Sequence, residues 1–184
     1  MHSGGYEAAA RTLRQGGVIA CPTEAVWGLS CDPFNEAAVD RILALKERPR
    51  DKGLLLVAAS MAQLEPLLAS LTEAQRQRLA DSWPGPVTWV IPDPIPIYPE
   101  WVRGRHDTIA VRVSAHPDVR QLCAAFAGAL VSTSANRAGE EEIRSRTILE
   151  SAFGAMLDFV VDGELGGADR PSQIRDLLTG AVLR

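Results

Sequence analysis

Apolar positions in this chain recur first at helical spacing, then as short continuous or alternating runs, so helices and strands are predicted in turn along its length. Tyr6, Ala9, Ala10 and Leu13 share one helical face that stops at Gly16-Gly17, and residues 18–21 then read as a short buried strand ended by Pro22. Asn35 is placed to cap a helix that turns Val39, Ile42 and Leu43 inward, a stripe leading directly to Lys46 before the break at Pro49. Ser60 with Gln63, Thr72 with Gln75 and Thr147 with Glu150 match the capping-box spacing and predict a helix after each. Residues 87–91, 108–114, 129–133 and 159–161 read as strands, and Pro117 opens a helix ending near Gly128. Four prolines within residues 92–99 exclude regular structure there and predict a stiff surface excursion to about Asp107. The expected fold is α/β, a mixed sheet covered by helices, in one domain spanning residues 1–184.

Two predicted strands carry polar groups on one side. In TIAVRVS, Ile109, Val111 and Val113 share a face, which leaves Thr108, Ala110, Arg112 and Ser114 on the other and aims Arg112 into a cleft. A half-wetted sheet face with a solvated arginine is the alternative. In LVSTSAN the same period aligns Ser132, Ser134 and Asn136, small hydrogen-bonding groups suited to phosphate or ribose, or to a plain polar strand end.

Charge sharpens the picture. Lys plus Arg total 19 against 23 Asp plus Glu, a net charge of -4, so the sequence KERPRDKG, with Lys46, Arg48, Arg50 and Lys52 in seven residues, is a local cationic cluster rather than part of a basic background. It sits between a helix C-terminus and the buried-strand run GLLLVAA, where α/β proteins hold ligands, and phosphate is the expected partner. A solvated charged face is the alternative, with Glu47 and Asp51 neutralising part of the run.

Several classes are disfavoured. Neither G-x-x-x-x-G-K-S/T nor G-x-G-x-x-G after a strand occurs, which argues against standard P-loop and Rossmann chemistry, and the absence of G-x-S-x-G leaves a nucleophilic triad unsupported. Cys21, Cys31 and Cys123 form no C-x-x-C pair and His2, His106 and His116 stand apart, so neither a disulfide framework nor a protein-only metal site is signalled. The segment MHSGGYEAAARTLRQGG has no apolar signal region and the apolar run at 54–59 is too short to span a bilayer, so a cytoplasmic location is expected. Gly163, Gly166 and Gly167 before RPSQIRD read as a flexible flap or a loop between strands.

Taken together and in order, PTEAVWGLSCD, LALKERPRDKGLLLV, WPGPVTWVI, TIAVRVSAHP, LVSTSAN and RPSQIRD resemble the YrdC-like family, and within it the bacterial threonylcarbamoyl-AMP synthases, over nearly the whole chain. The resemblance implies a twisted sheet mixing parallel and antiparallel strands, flanked by helices, with a basic concave cleft. It also implies a nucleotidyltransferase that joins L-threonine, bicarbonate and ATP with release of pyrophosphate, using Mg2+ with the ATP. The product would feed threonylcarbamoyladenosine modification of tRNA beside the anticodon, through a TsaD-type transferase and its accessory proteins.

By resemblance Lys46, Arg48 and Lys52 contact the ATP phosphates, with Lys46 and Arg48 the catalytic cations, while Thr108, Ser134 and Asn136 hold the nucleotide. Thr23, Arg112, Ser132 and Ser172 then face threonine, a planar guanidinium suiting its carboxylate. Ala25 stands where many relatives carry a threonine, and Val57 near where longer relatives carry a histidine. Two rivals are a non-catalytic module binding double-stranded RNA or tRNA in the same cleft, and a carbamoyl-adenylate enzyme with another acceptor, as in hydrogenase-maturation proteins. Aromatic content of 5% argues against a single-strand reader.

Overall fold

Strands made of continuous apolar runs need cover on both faces, and the helices here supply it unequally. In the computed structural model, which describes residues 3–183, the strands are β1 (Ile19–Pro22), β2 (Trp27–Cys31), β3 (Leu55–Ala58), β4 (Val87–Pro92), β5 (Thr108–Val113), β6 (Leu130–Ser134), β7 (Phe159–Val160) and β8 (Gln173–Asp176). The helices are α1 (Ser3–Arg14), α2 (Glu36–Lys46), α3 (Glu65–Leu68), α4 (Glu73–Ala80), α5 (Glu100–Arg103), α6 (Pro117–Phe126) and α7 (Arg146–Phe153). All eight strands form one sheet in the order β7-β1-β2-β6-β3-β5-β4-β8. The pairs β1–β7, β3–β5 and β4–β8 are parallel and the other four antiparallel, as the mixed-sheet expectation has it.

One face bears the larger core. Ile109, Val111 and Val113 of β5 pack there with Val39 and Ile42 of α2, Leu67 of α3, Leu79 of α4, Val102 of α5 and Leu149 of α7. The opposite face bears a smaller core, in which Ala9 and Leu13 of α1 and Val119 and Leu122 of α6 meet Ile19, Val57 and Leu130. Those two helices cover only part of their face. No helix among the described residues is long and apolar enough to cross a membrane.

Local signals are largely kept. Asn35 accepts a hydrogen bond from Ala38 N as the N-cap of α2, and Thr72 and Gln75 form a reciprocal capping box. Other expectations are corrected. Ser60 makes no side-chain cap; Gln63 instead accepts from Ala59 N, and a 3-10 turn leads into α3. Thr147 lies inside α7, whose N-cap is Ser145. The segment after Pro92 is not wholly irregular, because α5 forms within it and buries Val102. QIRD is strand β8, and WGLSC is strand β2, joined to β1 by residues 23–26. His2 lies outside the described residues.

Candidate active site

Where α1 and α6 leave their face of the sheet bare, a cleft of about 390 Å³ opens. Its floor is built by alternation: Gly28 of β2, Ser132 and Ser134 of β6, Leu55 of β3, Arg112 of β5 and Ile174 of β8. Registers Leu55↔Ser132 and Val57↔Arg112 put β6 and β5 on either side of β3, so Arg112 stands about 10 Å across the sheet from the serine row. The walls are the 23–26 loop, the turn after α2, the loop after β6 and the segment before β8.

At one end, Lys46 is the last residue of α2 and is 4% exposed. Its ammonium donates to the main-chain oxygens of Ser134 (2.5 Å) and Asn136 (2.9 Å) and to Asn136 Oδ1 (3.2 Å). All three acceptors are uncharged, so the cation is anchored without being neutralised by them. Burial, then the neighbouring Arg48 charge, push its pKa down to about 8, with Glu142 pulling the other way. Glu47 turns the chain left-handed at φ 52, and Arg48 Nη2 then donates to Gly53 O at 2.9 Å. Ser134 Oγ lies 2.6 Å from Asn136 Oδ1, and Asn136 Nδ2 donates to Glu140 O at 2.8 Å, which shapes the loop after β6.

At the other end, Arg112 is 6% exposed and its Nη1 lies 2.8 Å from Glu24 Oε2. That contact is ionic rather than a well-directed hydrogen bond, and Arg112 Nε has no hydrogen-bond partner among the described residues. Burial disfavours a charged Glu24, yet the Arg112 charge and the Ser114 hydroxyl outweigh it and hold the carboxyl below its ordinary pKa. Thr23 Oγ1 donates to Val26 O at 2.7 Å, and Ser172 Oγ lies 2.7 Å from Thr88 Oγ1.

Of the residues singled out from sequence, the cleft brings together Thr23, Lys46, Arg48, Arg112, Ser132, Ser134, Asn136 and Ser172. It does not bring in Lys52 or Thr108. Lys52 is exposed in the 3-10 turn Arg50–Lys52, and Thr108 pairs with Pro92 four residues upstream of Arg112, outside the lining. Arg50, expected in the cationic set, turns away to pair with Glu36 and Asp40 of α2. Sequence reasoning did not single out Glu24, Glu142 or Arg170, which also line the cleft. Glu24 sits in the quoted PTEAVWGLSCD, but its partners lie about ninety residues away, beyond any local spacing signal. Ala25 lines the cleft, whereas Val57 is buried in the smaller core. The three cysteines are buried and free, and burial raises the pKa of each thiol.

The model for the Sua5/YciO/YrdC family, described as telomere recombination, matches residues 11–184. A threonylcarbamoyl-AMP synthase of Chromohalobacter salexigens is 56% identical over 176 residues, covering 96% of this chain and 94% of the relative. Another from Pseudomonas putida is 53% identical over 176 residues, covering 96% and 94%. Among solved structures, P. abyssi Sua5 complexed with L-threonine matches at a TM-score of 0.92 with 31% identity, covering 100% of this chain and 54% of that one. The chain thus spans about half of that Sua5. E. coli YciO shares the fold at a TM-score of 0.87 with 22% identity, covering 100% of this chain and 89% of that one.

Proposed function

Because the chain belongs to the Sua5/YciO/YrdC family, we propose that it synthesises threonylcarbamoyl-AMP from L-threonine, bicarbonate and ATP. The observation that carries this reading is the pairing, in one cleft, of an anchored guanidinium at Arg112 with the cations Lys46 and Arg48. A carboxylate-bearing amino acid and a triphosphate can then lie over the Ser132–Ser134 row with their charges separately met. The names of the relatives favour synthesis over a non-catalytic RNA-binding module.

In this reading the threonine amine and bicarbonate form a carbamate and water. A carbamate oxygen attacks the α-phosphorus of ATP, the bond from that phosphorus to the bridging oxygen breaks, and pyrophosphate leaves, so AMP is transferred to the carbamate. The nucleophile is already an anion, which removes the need for a strong base and makes positioning and charge the main contributions. Arg112 meets the threonine carboxylate, with Thr23, Ser132 and Ser172 around the rest of the amino acid. Lys46 and Arg48 face the phosphates, while Ser134 and Asn136 shape the nucleotide end.

Among the described residues no group of three or more His, Cys, Asp or Glu could hold a metal ion. Magnesium would therefore enter with the triphosphate and neutralise phosphate charge, with Glu142, which lines the cleft near Lys46, the carboxylate at that end. The product would pass to a transferase of the TsaD type acting on tRNA. Incubation with ATP, magnesium, L-threonine and 13C-bicarbonate tests the reading: an adenylate carrying the label is expected by mass spectrometry, and unconsumed ATP would overturn it.

A further inference from the structure

We propose that Glu24 is the positioning residue for the amino-acid end of the cleft, holding Arg112 in the one orientation that meets a carboxylate. This rests on the synthase reading. An arginine side chain has several rotatable bonds, and its strand fixes only where it starts. Glu24 Oε2 takes hold of Nη1 at 2.8 Å. A guanidinium carries five N–H donors and the ion pair engages one nitrogen, Nη1, so it fixes Arg112 without exhausting it; Nε is buried with no hydrogen-bond partner among the described residues.

Glu24 is itself pinned by groups it does not share with Arg112. Its Oε1 accepts from Ser114 Oγ at 2.7 Å, from Ala115 N at 3.2 Å and from His116 N at 3.3 Å, at the positive end of the ten-residue helix α6. The carboxylate therefore transmits the position of α6 to the guanidinium.

The same residue also seats the segment that closes the cleft. Ala168 N donates to Glu24 O at 2.8 Å and Gly166 N to Thr23 O at 3.0 Å. A Cβ at Gly166 would stand 3.0 Å from Glu24 Cα, a tight contact that the backbone would have to yield to accommodate. Arg170 and Ser172 reach the cleft from that seated segment.

The test is the steady-state kinetics of threonine-dependent pyrophosphate release by the full chain carrying Glu24→Gln. KM for L-threonine is expected to rise about tenfold, as for loss of one charge-assisted contact. KM for ATP should stay within about twofold and kcat at saturating threonine within about threefold. Equal rises in both KM values, or an unchanged threonine KM in a variant that turns over, would overturn the proposal. Should Glu24→Gln not fold, Glu24→Asp keeps the charge but withdraws it by one methylene, and a selective rise in threonine KM is again required. A wild type without threonine-dependent release would overturn the synthase reading itself, a result separable from failure of the variant alone.

Discussion

The Lys46 ammonium donates to both the main-chain oxygen of Asn136, at 2.9 Å, and its side-chain Oδ1, at 3.2 Å. The end of α2 is thereby stapled to the loop after β6, ninety residues further along the chain. The staple sets where the cation stands and shapes that wall of the cleft at once.

Lys46→Met should therefore fail twice. It leaves the Asn136 carbonyl without its donor and Ser134 O with only Asn136 N, for a loss of about 2 kcal/mol in urea unfolding, and removes the cation proposed to face the phosphates. Threonine-dependent turnover should drop by about 100-fold or more, roughly the worth of one preorganised electrostatic contact.

The depressed pKa of Lys46 gives activity a pH limb. With the folded value at about 8, the cation is lost as pH rises through 8, and KM for ATP should climb between pH 7.5 and 9.5. Lys46→Arg should flatten that limb, since arginine stays charged. Stability moves the other way. Between about 8 and the unfolded lysine value near 10.4 the unfolded chain binds more protons, so this group's contribution rises with pH. A flat ATP profile in the wild type would contradict the assignment.

Arg112→Ala leaves Glu24 buried without its counter-charge, and unfolding should show a loss of about 3 kcal/mol. Arg112→Lys keeps the charge but loses the planar fork, and should raise threonine KM about tenfold while sparing ATP. In acid the sign is fixed by the depressed Glu24 pKa: its contribution is full above the unfolded value near 4.3 and is lost as pH falls through the lower folded value. The acid limb of wild-type stability should shrink in Glu24→Gln.

Phe153, 1% exposed, fills the larger core and carries the Arg137 guanidinium over its ring at 5.5 Å. Phe153→Ala should cost about 3–5 kcal/mol in denaturant titration. It is not among the residues lining the cleft, so KM values of whatever protein remains folded should be unchanged.

How far the sequence could be read follows from which signals are local. Period two in TIAVRVS foretold that Arg112 leaves the core face, and the α2 stripe foretold Lys46 at a helix end, because each depends on residues a few positions apart. Strand β8 was hidden since QIRD is polar and every residue is half-exposed on a sheet edge. The misread of Arg50 has a similar origin: its partners Glu36 and Asp40 lie one helix back, on a face that only the turn at Pro49 brings near. Glu24 was silent for the strongest form of this reason, since its partners lie in residues 112 to 116.

The most direct check on the account is pyrophosphate release from ATP and magnesium by the purified protein, with L-threonine and bicarbonate each present or withheld. Release that requires both substrates is the predicted result. Release indifferent to threonine, or none from a well-folded sample, would contradict the claim that Arg112 and Lys46 bring an amino acid and a nucleotide together in one cleft.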